Sequence, residues 1–170
     1  MSFPLLPDLI TEKLTDLSPK LLLDRGITLL MMDFDNTIVP YTRDIPEQEM
    51  EDWLTAMLAS DVQICVVSNS RSPRVQVFCR KRGIPCITRA KKPFSKGIRQ
   101  CLQQFDVAAQ HAALVGDQIY TDTLGANGTG VMSILVKAID NHTFWLKLRH
   151  VAEKPFIYAA RKRRLHNEKY

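Results

Sequence analysis

The stretch that decides the fold is Ile27-Thr28-Leu29-Leu30-Met31-Met32-Asp33-Phe34-Asp35-Asn36-Thr37. An apolar run closed by an aspartate reads as a buried strand, and ligands in open α/β sheets gather outside the carboxyl ends of such strands. Side chains at i and i+2 of an extended segment point to the same side, so Asp33 and Asp35 can face one small volume. Two like charges held this close are relieved by a cation or a shared proton. The pair therefore implies a divalent metal, proton chemistry, or both.

Outward from this strand, helical and extended patterns alternate. Pro46 with Glu47, Glu49, Glu51 and Asp52 opens a helix that runs to about Ser60, its acids favourably placed near the positive end of the helix dipole. Val62 to Val67 is a second strand. Ser72-Pro73 is an N-cap followed by proline at the first helical position, and Gly83 ends that helix; Ser18-Pro19 and Gly26 give the same start and stop signals before the first strand. A short third strand follows at Ile84 to Thr88, and Ser95 to Phe105 is helical. Ala112 to Val115 and Val131 to Val136 are the fourth and fifth strands, with the glycine-rich segment 125–130 between them. This order predicts an α/β fold with a doubly wound, parallel, five-stranded sheet. Residues 1–26 read as a leader of short helices, 27–140 as the core, and 141–170 as C-terminal helices with a basic tail, packed on the core.

A chain of 170 residues, 45% hydrophobic and 24% charged, is of ordinary single-domain size and can bury a sizeable core. No apolar stretch reaches the ~18 residues of a spanning helix, and the N-terminus lacks a secretory pattern. Cys65, Cys79, Cys86 and Cys101 form no C-x-x-C pair and read as reduced, mostly buried thiols. Together these predict a cytoplasmic protein. The net charge of +5 hides an asymmetry: residues 1–70 hold four Lys/Arg against twelve Asp/Glu, whereas 71–99 hold ten Lys/Arg and no acid. The last stretch, 147–170, is again basic. Two basic blocks point to an anionic partner.

Most strand ends carry a chemically useful group. The first ends in Asp33-x-Asp35-x-Thr37, the second in Ser68-Asn69-Ser70, the fourth in Gly116-Asp117 with Asp122 beyond, and Ala90-Lys91-Lys92-Pro93 lies between. In a parallel sheet these ends share one edge, so the groups converge on one crevice suited to a phosphate and a metal ion.

DxDxT, then serine, lysine and GDxxxxD in that order resemble the haloacid dehalogenase (HAD) superfamily of phosphatases. More narrowly, DFDNT, VVSNS, KKP and GDQIYTD resemble its small YqeG-type branch of subfamily IIIA, similar to mitochondrial-type phosphatidylglycerophosphate phosphatases. The resemblance implies a Rossmann-like core with Asp33 as nucleophile and Asp35 as general acid and base. It implies Mg²⁺ held by Asp33, the Asp35 carbonyl and Asp117. Ser68 and the Asn69 amide would hold phosphate oxygens, with Thr37 beside them. Lys92, or its neighbour Lys91, would neutralise the transferring phosphoryl group. Asp122 would orient that lysine or a metal-bound water, and its competing role is to cap the following helix.

Only 35 residues separate Asp33 from Ser68 and 24 separate Ser68 from Lys92, too few in either gap for a cap domain. An uncapped crevice suggests a substrate too large to enclose, and phosphatidylglycerophosphate at a membrane surface is the favoured one. The basic blocks and the N-terminus would then associate peripherally with anionic lipid. An oligomeric neighbour could cover the site instead. The alternatives are a cytosolic phosphatase of a small phosphate ester or phosphoprotein, and a basic RNA- or ribosome-binding module with a vestigial site. No aromatic-basic RNA-binding motif supports the last.

Overall fold

A computed structural model describes residues 5–140, 154–155 and 157–158. The expected C-terminal helices of 142–170, with Phe144 and Trp145, lie outside the described residues except for those four helical positions.

The chain runs β1 (Leu9–Thr11), α1 (Pro19–Leu23), β2 (Leu29–Met32), α2 (Gln48–Leu58), β3 (Gln63–Val67), α3 (Pro73–Arg82), β4 (Cys86–Ile87), α4 (Lys96–Phe105), β5 (Ala112–Gly116), α5 (Leu124–Asn127) and β6 (Met132–Val136). All strand pairs are parallel, in the order β1-β6-β5-β2-β3-β4. From β2 the chain winds outward through β3 and β4, then returns to β5 on the other side of β2. The β2/β5 seam is thus the topological switch point, where open sheets bind their ligands.

Among the described residues the sheet has six strands, not five. Leu9–Thr11, expected in a helical leader, is an edge strand on β6. Pro7 has no N–H to donate to a helix. The Asp8 carboxylate accepts from the Ser133 N–H and hydroxyl, each at 2.9 Å, and the Asp8 N–H donates to the Ser133 carbonyl at 3.0 Å. These bonds bridge 125 positions of sequence, so no local pattern carries them.

Central strand β2 is buried on both faces, which is why it reads as a continuous apolar run rather than an alternating one. Leu30 and Met32 join the larger core with Leu17, Leu22, Leu54, Met57 and Phe78. Leu29 and Met31 face the opposite layer with Ile98, Cys101 and Ala126. The Trp53 indole N–H donates to the Leu17 carbonyl at 2.7 Å, satisfying its polar handle within the core and tying α2 to the segment before β2. Ser18 and Ser72 cap α1 and α3 as the Ser-Pro signals predict, each hydroxyl accepting a first-turn N–H. All four cysteines are free thiols. One helix, α2, fills the connection from β2 to β3.

Candidate active site

The edge of the β2/β5 seam is built from main chain. The Asp33 N–H donates to the Val115 carbonyl at 2.9 Å, which extends the strand pairing by one residue and fixes Asp33 beside Gly116. Phe34 turns the other way, fully buried and edge-on to Phe78 with ring centroids 5.1 Å apart. Asn36 holds a left-handed φ of 61°, a conformation asparagine tolerates better than most residues. Its side chain accepts from the Tyr41 N–H and donates to the Asp140 carbonyl, anchoring the turn that follows Asp35.

Lys92 is the hub. Its side chain is 1% exposed and its ammonium lies 2.7 Å from Asp33 Oδ1 and 2.7 Å from Asp122 Oδ1. Burial works against the charged ammonium, but the Asp122 and Asp33 carboxylates outweigh it and hold the pKa above its ordinary value. A buried cation needs such partners. Of the two candidate lysines, Lys92 therefore meets the aspartates, while Lys91 is exposed. The Asn69 side chain positions this turn: its amide donates to the Lys92 carbonyl at 2.8 Å and its oxygen accepts the Lys92 N–H at 2.7 Å. Ser68 is buried, and its hydroxyl accepts from the Ser70 N–H at 3.0 Å, leaving its own hydrogen to donate. The Thr37 hydroxyl is buried without a partner among the described residues.

Asp122 lies in a π-helical turn, Ile119–Thr123, an irregularity common at functional sites. A Cβ at Gly116 would overlap its carboxylate, so the glycine of Gly116-Asp117 makes room for the aspartate that holds Lys92. Asp33, Asp117 and Asp122 present carboxylate oxygens within 4.8 Å of one another. Three buried carboxylates around one ammonium leave excess negative charge in an all-oxygen set, the chemistry that a hard divalent cation fits. Asp122 is one of these three and also pairs with Lys92.

Asp35 sits apart from that cluster and meets Arg74, whose Nη1 lies 2.9 Å from Asp35 Oδ1. Burial pushes the Asp35 carboxyl above its ordinary pKa, the charge of Asp33 adds to this, and Arg74 opposes it. Arg74 also donates to the Pro40 and Arg43 carbonyls, pairs with Asp44 at 2.9 Å, and lies over the Phe34 ring. Sequence reasoning missed it. Its only signal was its place just after Ser72-Pro73, among nine other basic residues of 71–99.

A family model described as HAD-hydrolase-like matches residues 89–150. The chain is 30% identical over 131 residues to the probable phosphatase YqeG of Bacillus subtilis, covering 77% of this chain and 76% of that one. It superposes on the cobalt-bound deoxy-D-mannose-octulosonate 8-phosphate phosphatase of Haemophilus influenzae with a TM-score of 0.53 at 14% identity, covering 80% and 90% of the two chains. It superposes on the 3-deoxy-D-manno-octulosonate 8-phosphate phosphatase of Yersinia pestis with a TM-score of 0.52 at 15% identity, covering 74% and 71%. At these identities the two structures speak for the fold alone.

Proposed function

This chain belongs to the YqeG-type branch of the HAD superfamily of phosphatases, and on that footing we propose that it hydrolyses phosphate monoesters with Mg²⁺ through an aspartyl-phosphate on Asp33. The observation that carries the reading is the buried Asp33–Lys92–Asp122 chain, with Asp117 beside it and Asp35 two residues from the nucleophile.

An Asp33 oxygen attacks phosphorus as the bond to the leaving oxygen breaks, and Asp35 gives that oxygen its proton. Asp35 then takes a proton from the water that attacks the aspartyl-phosphate, and the phosphorus–Asp33 bond breaks to release phosphate. The raised Asp35 pKa suits a group that must begin protonated. Lys92 holds the nucleophile in line and stays charged while phosphoryl charge develops, and Ser68 with the Asn69 N–H takes the remaining phosphate oxygens. Asp33, Asp117 and the Asp35 carbonyl would hold Mg²⁺, which when bound neutralises phosphate and carboxylate charge.

The favoured substrate is phosphatidylglycerophosphate at an anionic membrane surface. In support, a single helix joins β2 to β3 and leaves the crevice open. An apolar-walled cleft of about 370 Å³, lined by Asp117, Ile10, Leu135, Val136, Ile157 and Tyr158 among others, leads away from the carboxylates. No helix among the described residues is long and apolar enough to cross a membrane; the membrane contact proposed here is peripheral. The test is phosphate release from a panel of phosphate esters that includes this lipid, with Mg²⁺ and with chelator. Release that requires Mg²⁺ and vanishes in Asp33→Asn is expected. A wild-type protein that releases none would overturn the reading.

A further inference from the structure

Beside the phosphate crevice lies a second cavity, of about 410 Å³, lined by Asn69, Arg71, Arg89 and Lys91. We propose that this cavity is a subsite for a second phosphate group of the substrate, so that the enzyme prefers phosphomonoesters whose leaving group itself bears a phosphate, as monoester or diester. The proposal rests on the reading of the Asp33 crevice as the reaction site and names the substrate class that crevice serves.

Three cations line the pocket, and none of them has a carboxylate partner among the described residues. Arg74, Arg82 and Lys92, which are buried or partly buried, each hold an acid; the three cations of the pocket are exposed. Like charges converging on one concavity repel unless an anion joins them, and guanidinium groups suit phosphate through paired N–H donors. The acid-free block 71–99 supplies no internal counter-ion.

The walls are built rather than frayed. Arg89 and Lys91 both hold left-handed conformations, with φ of 54° and 58°, which are unfavourable for non-glycine residues. Main-chain bonds hold them there: the Arg89 N–H donates to the Ser70 carbonyl at 3.2 Å and the Ala90 N–H to the Ser68 carbonyl at 3.0 Å. The intervening Ala90 is buried, with Gly97 of α4 packed so closely that a Cβ there would lie 2.6 Å from Ala90 Cβ.

The pocket adjoins the reaction site through Asn69 and the Lys91-Lys92 turn. Asn69 lines it and at the same time fixes the Lys92 main chain on both sides. Lys91 and Lys92 are successive residues, with Cα atoms about 3.8 Å apart, yet one lines the second pocket and the other meets Asp33. A short polyol between two phosphates would place one group on each side of this turn. A lipid diester and a soluble bisphosphate share that chemistry.

The experiment compares wild type with Arg71→Gln, Arg89→Gln and Lys91→Gln on glycerol 3-phosphate, glycerol 1,3-bisphosphate and dihexanoyl phosphatidylglycerophosphate. Each lost cation is expected to raise KM about tenfold on the two substrates that carry a second phosphate group, with kcat and the glycerol 3-phosphate reaction within about twofold. A shift on the lipid alone assigns the subsite to a diester; a shift on both assigns it to either source of phosphate. Equal shifts on all three substrates, or none, overturn the proposal. Calorimetric titration of Asp33→Asn with glycerol 1,3-bisphosphate separates the two readings. If wild type hydrolyses nothing, the reaction assignment fails, while binding that Arg89→Gln weakens about tenfold still supports the subsite. Binding that Arg89→Gln leaves unchanged overturns it.

Discussion

The two sides of the Lys92 turn carry opposite chemistry. On one side, four aspartates and Lys92 lie in or beside a crevice whose buried ammonium is held between Asp33 and Asp122; on the other, Arg71, Arg89 and Lys91 stand exposed around an open pocket. The difference teaches that burial, and not residue type, sets what a charge contributes. A buried charge must be paired or the fold loses several kcal/mol, whereas an exposed one costs little and remains free to meet a ligand.

The sharpest way to break this comparison is at the nucleophile. Asp33→Asn keeps the shape of the crevice and removes its reactive oxygen, so Mg²⁺-dependent phosphate release should fall at least about a thousandfold, read by a phosphate assay. Next come the adjacent lysines. Lys92→Met strands Asp33 and Asp122 in the interior and should lower unfolding stability by roughly 3 to 5 kcal/mol, whereas Lys91→Met should stay within about 0.5 kcal/mol; urea unfolding of the two variants measures the contrast. Equal losses would show that the two sides are not distinct. Gly116→Ala pushes on the Asp122 carboxylate and should cost about 1 to 3 kcal/mol, with a drop in activity as Lys92 loses its anchor; thermal unfolding and the phosphate assay report both.

The smallest effect is expected at a half-buried pair far from the site, Glu51 and Arg82, whose Nε lies 2.9 Å from Glu51 Oε2. Hydrogen bonding to Arg82 holds the Glu51 carboxyl below its ordinary pKa, against the opposing effect of burial. Because the folded pKa is depressed, this contribution is present above the unfolded value near 4.5 and is lost as pH falls through the folded one. Glu51→Gln should therefore cost about 0.5 kcal/mol at neutral pH and nothing once the pH is well below 4.5, a difference that urea midpoints across pH 3 to 7 would reveal.

Much of this could be read before the structure. The run from Leu29 to Met32 announced a central strand because burial on both faces leaves no room for alternation. Ser18-Pro19 and Ser72-Pro73 announced helix starts because capping is a contact within four residues. The failures share one cause. Leu9–Thr11 looked like part of a helix because its partner strand lies more than a hundred residues away. Arg74 looked like any other member of a basic block, since only the return of α3 to the β2 edge brings it to Asp35. The hold of the Asn69 side chain on the Lys92 main chain, across 23 positions, had no local signal either.

By itself the sequence determined the strand–helix order from Ile27 onward, the sheet edge at which Asp33, Ser68, Lys92 and Asp117 gather, and the family. These rest on periodicity, local capping and motif spacing, all properties of neighbours along the chain. Only the tertiary structure decided that Lys92 and not Lys91 meets the aspartates, that Gly116 yields space to Asp122, and that three unpaired cations share a pocket on the far side of the turn. Those outcomes depend on which side chains lose water and which keep it. That is settled by segments distant in sequence packing together, and no single stretch of chain encodes it.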